Sequence, residues 1–577
     1  MHEFRVWAPR ARTVELHVDG ERVSMTPLAG GTFTARVATA IAGSRYGFSL
    51  DGGPVRPDPR APSQPDGIDG LSAVVDHGAF TWSDHAWRGV PLRGAVLYEL
   101  HVGTFTPEGT FDAVIDHLEH LVSLGVDAVE LLPVAEFAGE RGWGYDGVDL
   151  FAPHHSYGGP DGLKRLIDAC HRAGLGVVID VVYNHLGPAG NYLGEFGPYF
   201  SERHQTNWGA AMNYDGRGSD EVRRFVLDNA TQWLSHYHAD GLRLDAVHAI
   251  VDDSAVHLLE ELAAHVDALA VTLRRPVFVI AESDRNDPRL VRSRDAGGFG
   301  LDAAWADEWH HALHAALSGE RSGYYEDFGS LELLAKALRQ AWVYDGAFSP
   351  HRQRRHGRRP DGLAGYRFVV CTQNHDQVGN RARGERSACL MSPGRLRIAA
   401  ALLLSTPFIP MVFQGEEWGA STPFQYFTDH RDPELARAVT EGRRHEFAAF
   451  GWDPAGVPDP QSQATLAASI LDWEECGRGE HAEILGWYRE LLTLRRQRPE
   501  LSDPRSCRID AVADETRQIL TVRRSCTWIV VNLAEHTQSV PVARPRLLAV
   551  SAPGVVLRAD AVVLVPDSVA IVGVAGG

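Results

Sequence analysis

Short apolar runs that break off into polar residues recur through the middle of the chain. Val177 to His185 (V-V-I-D-V-V-Y-N-H), Gly241 to His248 (G-L-R-L-D-A-V-H), Val277 to Glu282 (V-F-V-I-A-E) and Arg367 to Asp376 (R-F-V-V-C-T-Q-N-H-D) share this design. Each predicts a buried strand with chemistry at its exit. Side chains alternate along a strand, so Arg243 and Asp245 share one side while Leu242 and Leu244 take the other. A cation two residues from a carboxylate keeps that carboxylate ionised. Such an Asp, fixed at a strand's C-terminal end, can act as a nucleophile. A structural Arg–Asp ion pair is the alternative reading of the motif alone. Several carboxylates at corresponding strand exits favour an active site, because parallel barrels build theirs at that end.

The intervening pattern is helical. Val96 to Glu99 predicts a first strand. Thr110 is a predicted N-cap, Val114, Ile115, Leu118, Leu121 and Val122 recur at helical spacing, and Gly125 is the stop. Ala128 to Leu132 is the second strand, which completes the strand–helix–strand unit of a parallel sheet. Val177 to Val182 is the third strand and delivers Asp180, Asn184 and His185. Ser219 to His238 predicts one long helix before the Gly241 strand, and Ser254 to about Ala268 another before the Glu282 strand. Leu301 to Ala304 and Phe408 to Phe413 complete a count of eight strands.

The two ends of the chain read differently. Phe4 to Trp7, Val14 to Val18 and Thr32 to Val37 alternate like strands between Gly and Pro turns. They predict an immunoglobulin-like β-sandwich over 1–90. Glucan binding and bracing of the barrel are both open to it; bracing is favoured because no exposed aromatic pair is visible. Pro54 to Gly70 carries five prolines and predicts a rigid connector packed along the surface. After about residue 500, Ile519 to Val522, Trp528 to Leu533, Leu547 to Val550, Val562 to Val565 and Val569 to Val572 predict an antiparallel β domain. The expected fold class is α/β: a (β/α)8 barrel over 91–499 between β domains at 1–90 and 500–577.

Composition narrows the function. The net charge of −19 argues against a nucleic-acid partner, which needs a basic surface. Six scattered cysteines without a C-x-x-C predict reduced thiols and a cytoplasmic location. The first residues, M-H-E-F-R-V-W-A-P, lack a signal-peptide pattern. No apolar run reaches the roughly 20 residues of a membrane span, so no membrane partner is expected. Trp143 to Val148 (W-G-Y-D-G-V) sets planar aromatics beside a carboxylate, which suits a sugar with apolar faces and a hydroxyl rim; a packed loop aromatic is the alternative. The D-E-W-H-H block, Asp307 to His311, reads equally as an acidic helix start and as a cleft lining. His185 could hydrogen-bond a sugar hydroxyl or ligate a metal, and one His beside an Asn is a poor metal signal.

As a set, D-V-V-Y-N-H, G-L-R-L-D-A-V-H, the strand ending at Glu282 and N-H-D at Asn374 to Asp376 resemble the four signature regions of the α-amylase family. The resemblance covers about 95 to 500. Glu282 to Pro288 (E-S-D-R-N-D-P), the D-E-W-H-H block, His375 to Asn380 (H-D-Q-V-G-N) and Phe413 to Ala420 (F-Q-G-E-E-W-G-A) look most like the sub-family that releases trehalose from maltooligosyltrehalose. The resemblance implies a retaining glycoside hydrolase of trehalose biosynthesis, cutting the α-1,4 bond beside the terminal trehalose. It implies Asp245 as nucleophile, Glu282 as general acid/base and Asp376 as transition-state stabiliser. Implied substrate contacts are Tyr145, His185, Arg243, Leu244, Ala246, Val247, His248, Asp307, Glu308, Trp309, His310, His311, His375, Gln377, Val378, Gly379 and Asn380. No cofactor and no metal are expected, and a maltooligosyltrehalose-forming enzyme is the expected pathway partner. A branching or debranching enzyme would share the three carboxylates. A non-catalytic glucan-binding barrel is disfavoured because none of the three is lost.

Overall fold

The structure is a computed structural model describing residues 1–449, 456–505 and 509–574. Eight parallel strands close into a barrel: β1 (Leu97–Leu100), β2 (Ala128–Leu131), β3 (Gly176–Val181), β4 (Gly241–Leu244), β5 (Phe278–Ala281), β6 (Ala303–Trp305), β7 (Phe368–Cys371) and β8 (Ile409–Phe413). Each pairs with its sequence neighbours, and β8 closes on β1.

Strand alternation builds two cores. Leu97, Ala128, Val178, Phe278, Ile280, Ala303, Val369, Cys371, Ile409 and Met411 fill the barrel interior. Tyr98, Val129, Ile179, Leu242, Leu244, Val279 and Val370 point outward into the layer shared with the helices. Near the exits the inward positions turn polar. Glu99 stands opposite Glu130, and Asp180 opposite Arg243, in register on neighbouring strands. This row underlies the site.

Most connections follow the sequence pattern. Thr110 accepts from Ala113 N at the expected helix start, and Gly125 closes it at φ 101°. The helix is broken in two, Phe111–Ile115 and Leu118–Leu124. The long helix expected from Ser219 to His238 is α-helical only over Ser219–Thr231. A π turn, Gln232–His236, follows. The helix before β5 runs Leu258–Leu273 rather than starting at Ser254. Asp252 explains the late start: its carboxylate accepts from Ser254 N and Leu258 N and from Arg223 Nη1.

The N-terminal strands form two antiparallel sheets, and the last strands another two. The Pro54–Gly70 connector packs more deeply than a surface path alone: Asp58, Ala61 and Gln64 are buried, while Pro54, Asp66 and Asp69 stay exposed. Val55–Arg56 and Ser72–Ala73 add strands to the Arg45–Leu50 edge. Tyr46 donates to Asp58 (2.8 Å), while Arg60 pairs with Asp228 (2.6 Å) below the barrel's Phe151 and Phe225. Prolines here fix a path between two packed surfaces.

Candidate active site

Arg243 organises the site. Its guanidinium is fully buried, 4.2 Å above the Trp305 ring. Nη1 donates to Asp180 Oδ2 (2.7 Å) and Asp245 Oδ1 (2.9 Å), and Nη2 lies 3.7 Å from Glu282 Oε2. One cation therefore faces three carboxylates from three successive strands. Asp245 is held from a second side by Asn184, whose Nδ2 donates to Oδ2 at 2.9 Å. Asn184 in turn accepts from His185 Nδ1 (2.5 Å).

Glu282 sits at the exit of β5, next to β4. Ala246, one residue past Asp245, adopts φ 40° and donates its N–H to Glu282 Oε2 at 2.6 Å. Burial pushes the Glu282 carboxyl well above its ordinary pKa. Arg243 opposes this, and the charges of Asp245, Asp307 and Asp376 add to it. An acid beside an aspartate is thus kept protonated while its partner is bound by a guanidinium.

Asp376 comes from the β7 exit. Asn374 caps the short helix His375–Gly379, accepting from Asp376 N and Gln377 N, and Gln377 Oε1 in turn accepts from Asn374 N. This capping box fixes Asp376 at the cavity edge with its side chain about half exposed (46%). Beneath it, burial would depress His375, but Glu99 and Asp376 outweigh burial and raise it to about 9. Its Nδ1 donates to Glu99 (2.6 Å) and its Nε2 to the Tyr145 hydroxyl (2.7 Å), which donates to Asp180 (2.7 Å). A continuous polar chain thus runs from Glu99 to Asp245.

These groups open onto one cavity of about 610 Å³. Asp245, Glu282 and Asp376 all line it, with Tyr145, His185, Ala246, His248, Asp307, His311, Gln377 and Asn380. The other sequence-derived positions do not. Arg243 and His375 lie one layer below. Leu244 is buried in the outer core because strand alternation turns it away from Arg243, and Val247 is buried beside it. The D-E-W-H-H block is a helix start and a lining at once: Asp307 and His311, one turn apart, reach the cavity. Trp309 is buried in the core, His310 bonds Thr372 O and the Tyr325 hydroxyl, and Glu308 accepts from Val343 N, Tyr344 N and Asn286. Glu308, Trp309 and His310 are therefore corrected from substrate contacts to support. Val378 is buried with Trp143, and a Cβ on Gly379 would stand 2.1 Å from the Trp143 ring. Burial lifts Asp307 to about 7, with Asp376's charge adding, and drives His311 down to about 3.

A catalytic-domain model of alpha amylase matches residues 62–208. A malto-oligosyltrehalose trehalohydrolase from Rhizobium sp. (strain M-11) is 50% identical over 93% of this chain and 92% of its own. One from Arthrobacter ramosus is 51% identical over 93% and 94%. The chain belongs to the malto-oligosyltrehalose trehalohydrolase family. A crystal structure of an alpha-amylase-type chain from Salmonella typhimurium superposes with a TM-score of 0.91 at 39% identity, covering 99% of this chain and 97% of that one.

Other residues of this trehalohydrolase-family cavity escaped the sequence reading. Trp208 stands half exposed at the turn between Phe200–Thr206 and Gly209–Met212, stacked on His185 at 5.1 Å. Asp284, Tyr324, Asp429 and Arg443 also line the cavity. Arg443 sits on the helix Pro433–Ala449 and Tyr324 on the short turn Gly323–Tyr325, while Asp284 and Asp429 sit on loops, so no shared periodicity marks them. Only Asp284, inside the E-S-D-R-N-D-P run, carried a signal.

Proposed function

We propose that the chain hydrolyses the α-1,4-glucosidic bond next to the terminal trehalose of maltooligosyltrehalose, releasing trehalose and a maltooligosaccharide. The observation that carries this reading is the convergence of Asp245, Glu282 and Asp376 on one cavity. The family supplies the substrate.

The residues give the steps. Glu282, protonated, donates to the glycosidic oxygen as the bond breaks. Asp245 attacks the anomeric carbon from the other face, and a covalent glycosyl-enzyme forms. Trehalose leaves. Glu282, now a carboxylate, takes a proton from water, which displaces Asp245 and restores the original configuration. Asp376 holds hydroxyls of the distorted ring and binds best in the transition state. Its exposure leaves its oxygens available to sugar. Asp307, at the same rim, and the Trp208–His185 stack offer further hydroxyl and ring-face contacts.

The test is chromatography of products from maltotriosyltrehalose. Equal amounts of trehalose and maltotriose are expected. New α-1,6 branches without free trehalose would overturn the reading in favour of a branching enzyme. The same reading assigns a maltooligosyltrehalose-forming enzyme as pathway partner. It places limits near 90 and 500 for the three domains. Five unpaired cysteines among the described residues support a reducing, cytoplasmic setting. Among those residues no helix is long and apolar enough to cross a membrane.

A further inference from the structure

Away from the catalytic carboxylates, three potential metal ligands meet at the foot of a cavity loop. Glu136 lies on the short strand Ala135–Glu136, which pairs with Asp149–Pro153. His154 and His155 follow that second strand directly. The chain between them, 137–147, supplies Phe137, Arg141, Trp143 and Tyr145 to the cavity wall.

His155 Nδ1 is 2.7 Å from Glu136 Oε1, and His154 Nδ1 is 3.2 Å from Glu136 Oε2. One ligand atom from each residue lies within 4.8 Å of the other two. The side chains of Glu136 and His154 are wholly buried, and that of His155 is one-fifth exposed.

Both rings face Glu136 at ion-pair distance, but only His155 makes hydrogen bonds there. The His154 ring is stacked on Phe137 at 3.8 Å. Neither of its nitrogens has a hydrogen-bond partner among the described residues. Nδ1 faces Glu136 without the alignment of a hydrogen bond. A buried polar nitrogen left unpaired is costly, and a cation between the three groups would satisfy it. His155 Nε2 points the other way, 3.3 Å from Glu140 Oε1, and Ser156 Oγ donates to the same carboxylate. A carboxylate behind an imidazole is the arrangement that orients metal-bound histidines.

We propose that Glu136, His154 and His155 form a binding site for a divalent transition cation of the zinc class. Two imidazoles and one carboxylate suit zinc, cobalt or nickel; calcium and magnesium prefer all-oxygen shells. Water completes the coordination. A bound ion joins the residue before the 137–147 loop to the residues after its return strand, and so ties down the cavity wall without touching substrate.

The proposal is tested on the full chain after EDTA treatment and dialysis. Zinc chloride is titrated by calorimetry, and cobalt chloride is followed by visible absorption. One equivalent should bind, with cobalt bands of low-symmetry nitrogen–oxygen coordination. The thermal midpoint should rise with zinc and fall back with EDTA. His154→Gln and His155→Gln should each weaken binding at least about tenfold. Glu140→Gln, at the exposed end, should weaken it less. Circular dichroism checks each fold; if His154→Gln misfolds, His155→Gln and Glu140→Gln still decide. Absence of saturable binding up to about 1 mM metal, or binding that these variants leave unchanged, overturns the site.

Discussion

The amide of Ala246 points at the carboxyl of Glu282, 2.6 Å from Oε2. The strand that ends in one catalytic candidate thus supplies a donor to the other. The donor is aimed by a left-handed backbone at Ala246, φ 40°, which a non-glycine residue adopts only when its surroundings hold it there.

The burial around Glu282, with the charges of Asp245, Asp307 and Asp376 adding to it against Arg243, sets the pH behaviour. Its pKa is raised, so the working proton is held to higher pH than on an ordinary carboxyl and is lost as pH climbs through the elevated value. kcat/KM should fall on an alkaline limb lying well above the ordinary carboxyl range. Glu282→Gln should cost about 10²–10⁴-fold on the oligosaccharide and abolish that limb. A substrate with a fluoride leaving group, which needs no acid, should lose far less. Equal losses on both substrates would remove Glu282 from the acid role.

Asp245 is gripped by Arg243 and Asn184, so Asp245→Asn alters the chemistry more than the geometry. Turnover should drop about 10⁴-fold or more, with ligand affinity by calorimetry changed only slightly. Near-normal turnover is incompatible with a nucleophilic Asp245.

Glu130 is buried in the barrel with neither carboxyl oxygen hydrogen-bonded. Burial raises its pKa well above the usual value, and Glu99's charge adds to this. The folded state therefore holds the proton more tightly than the unfolded chain. The stability this gives is complete below the unfolded pKa of about 4.3 and is lost as pH rises through the folded value. Glu130→Gln cannot ionise. Its thermal midpoint relative to the parent should improve steadily with pH, and a difference that stays flat would falsify the linkage.

Gly379 lies against the Trp143 ring with no room for a Cβ. Gly379→Ala should cost about 1–3 kcal/mol of stability, read as a lower thermal midpoint. Because Trp143 lines the cavity, KM should rise as well. If both stay at parental values, the close approach is not a constraint.

The barrel was legible because its strands are short apolar runs with polar exits and its helices keep their caps, as at Thr110 and Gly125. The three carboxylates were legible because each ends such a run. Trp208 was not, since nothing in a turn reports that it folds over a distant His. Glu308 and Trp309 were misassigned for the opposite reason: a five-residue block reads as one unit, but a helix turns successive side chains about 100° apart and sends only Asp307 and His311 to the cavity. Proline density at Pro54–Gly70 suggested a rigid connector packed along the surface; how deeply it packs was not legible, because composition does not say what lies on either side. Glu136 and His154 meet only through strand pairing, which spacing in sequence does not disclose.

The burial of that proline-rich passage bears on how the molecule could be cut or recombined. Asp58, Ala61 and Gln64 are interior positions, and Arg60 reaches into the barrel's own side chains. Deleting the first ninety residues would therefore strip a wall from the catalytic body rather than unhook an accessory. The front sheets are not a cassette, and a chimera that exchanges them must carry the matching barrel surface with it.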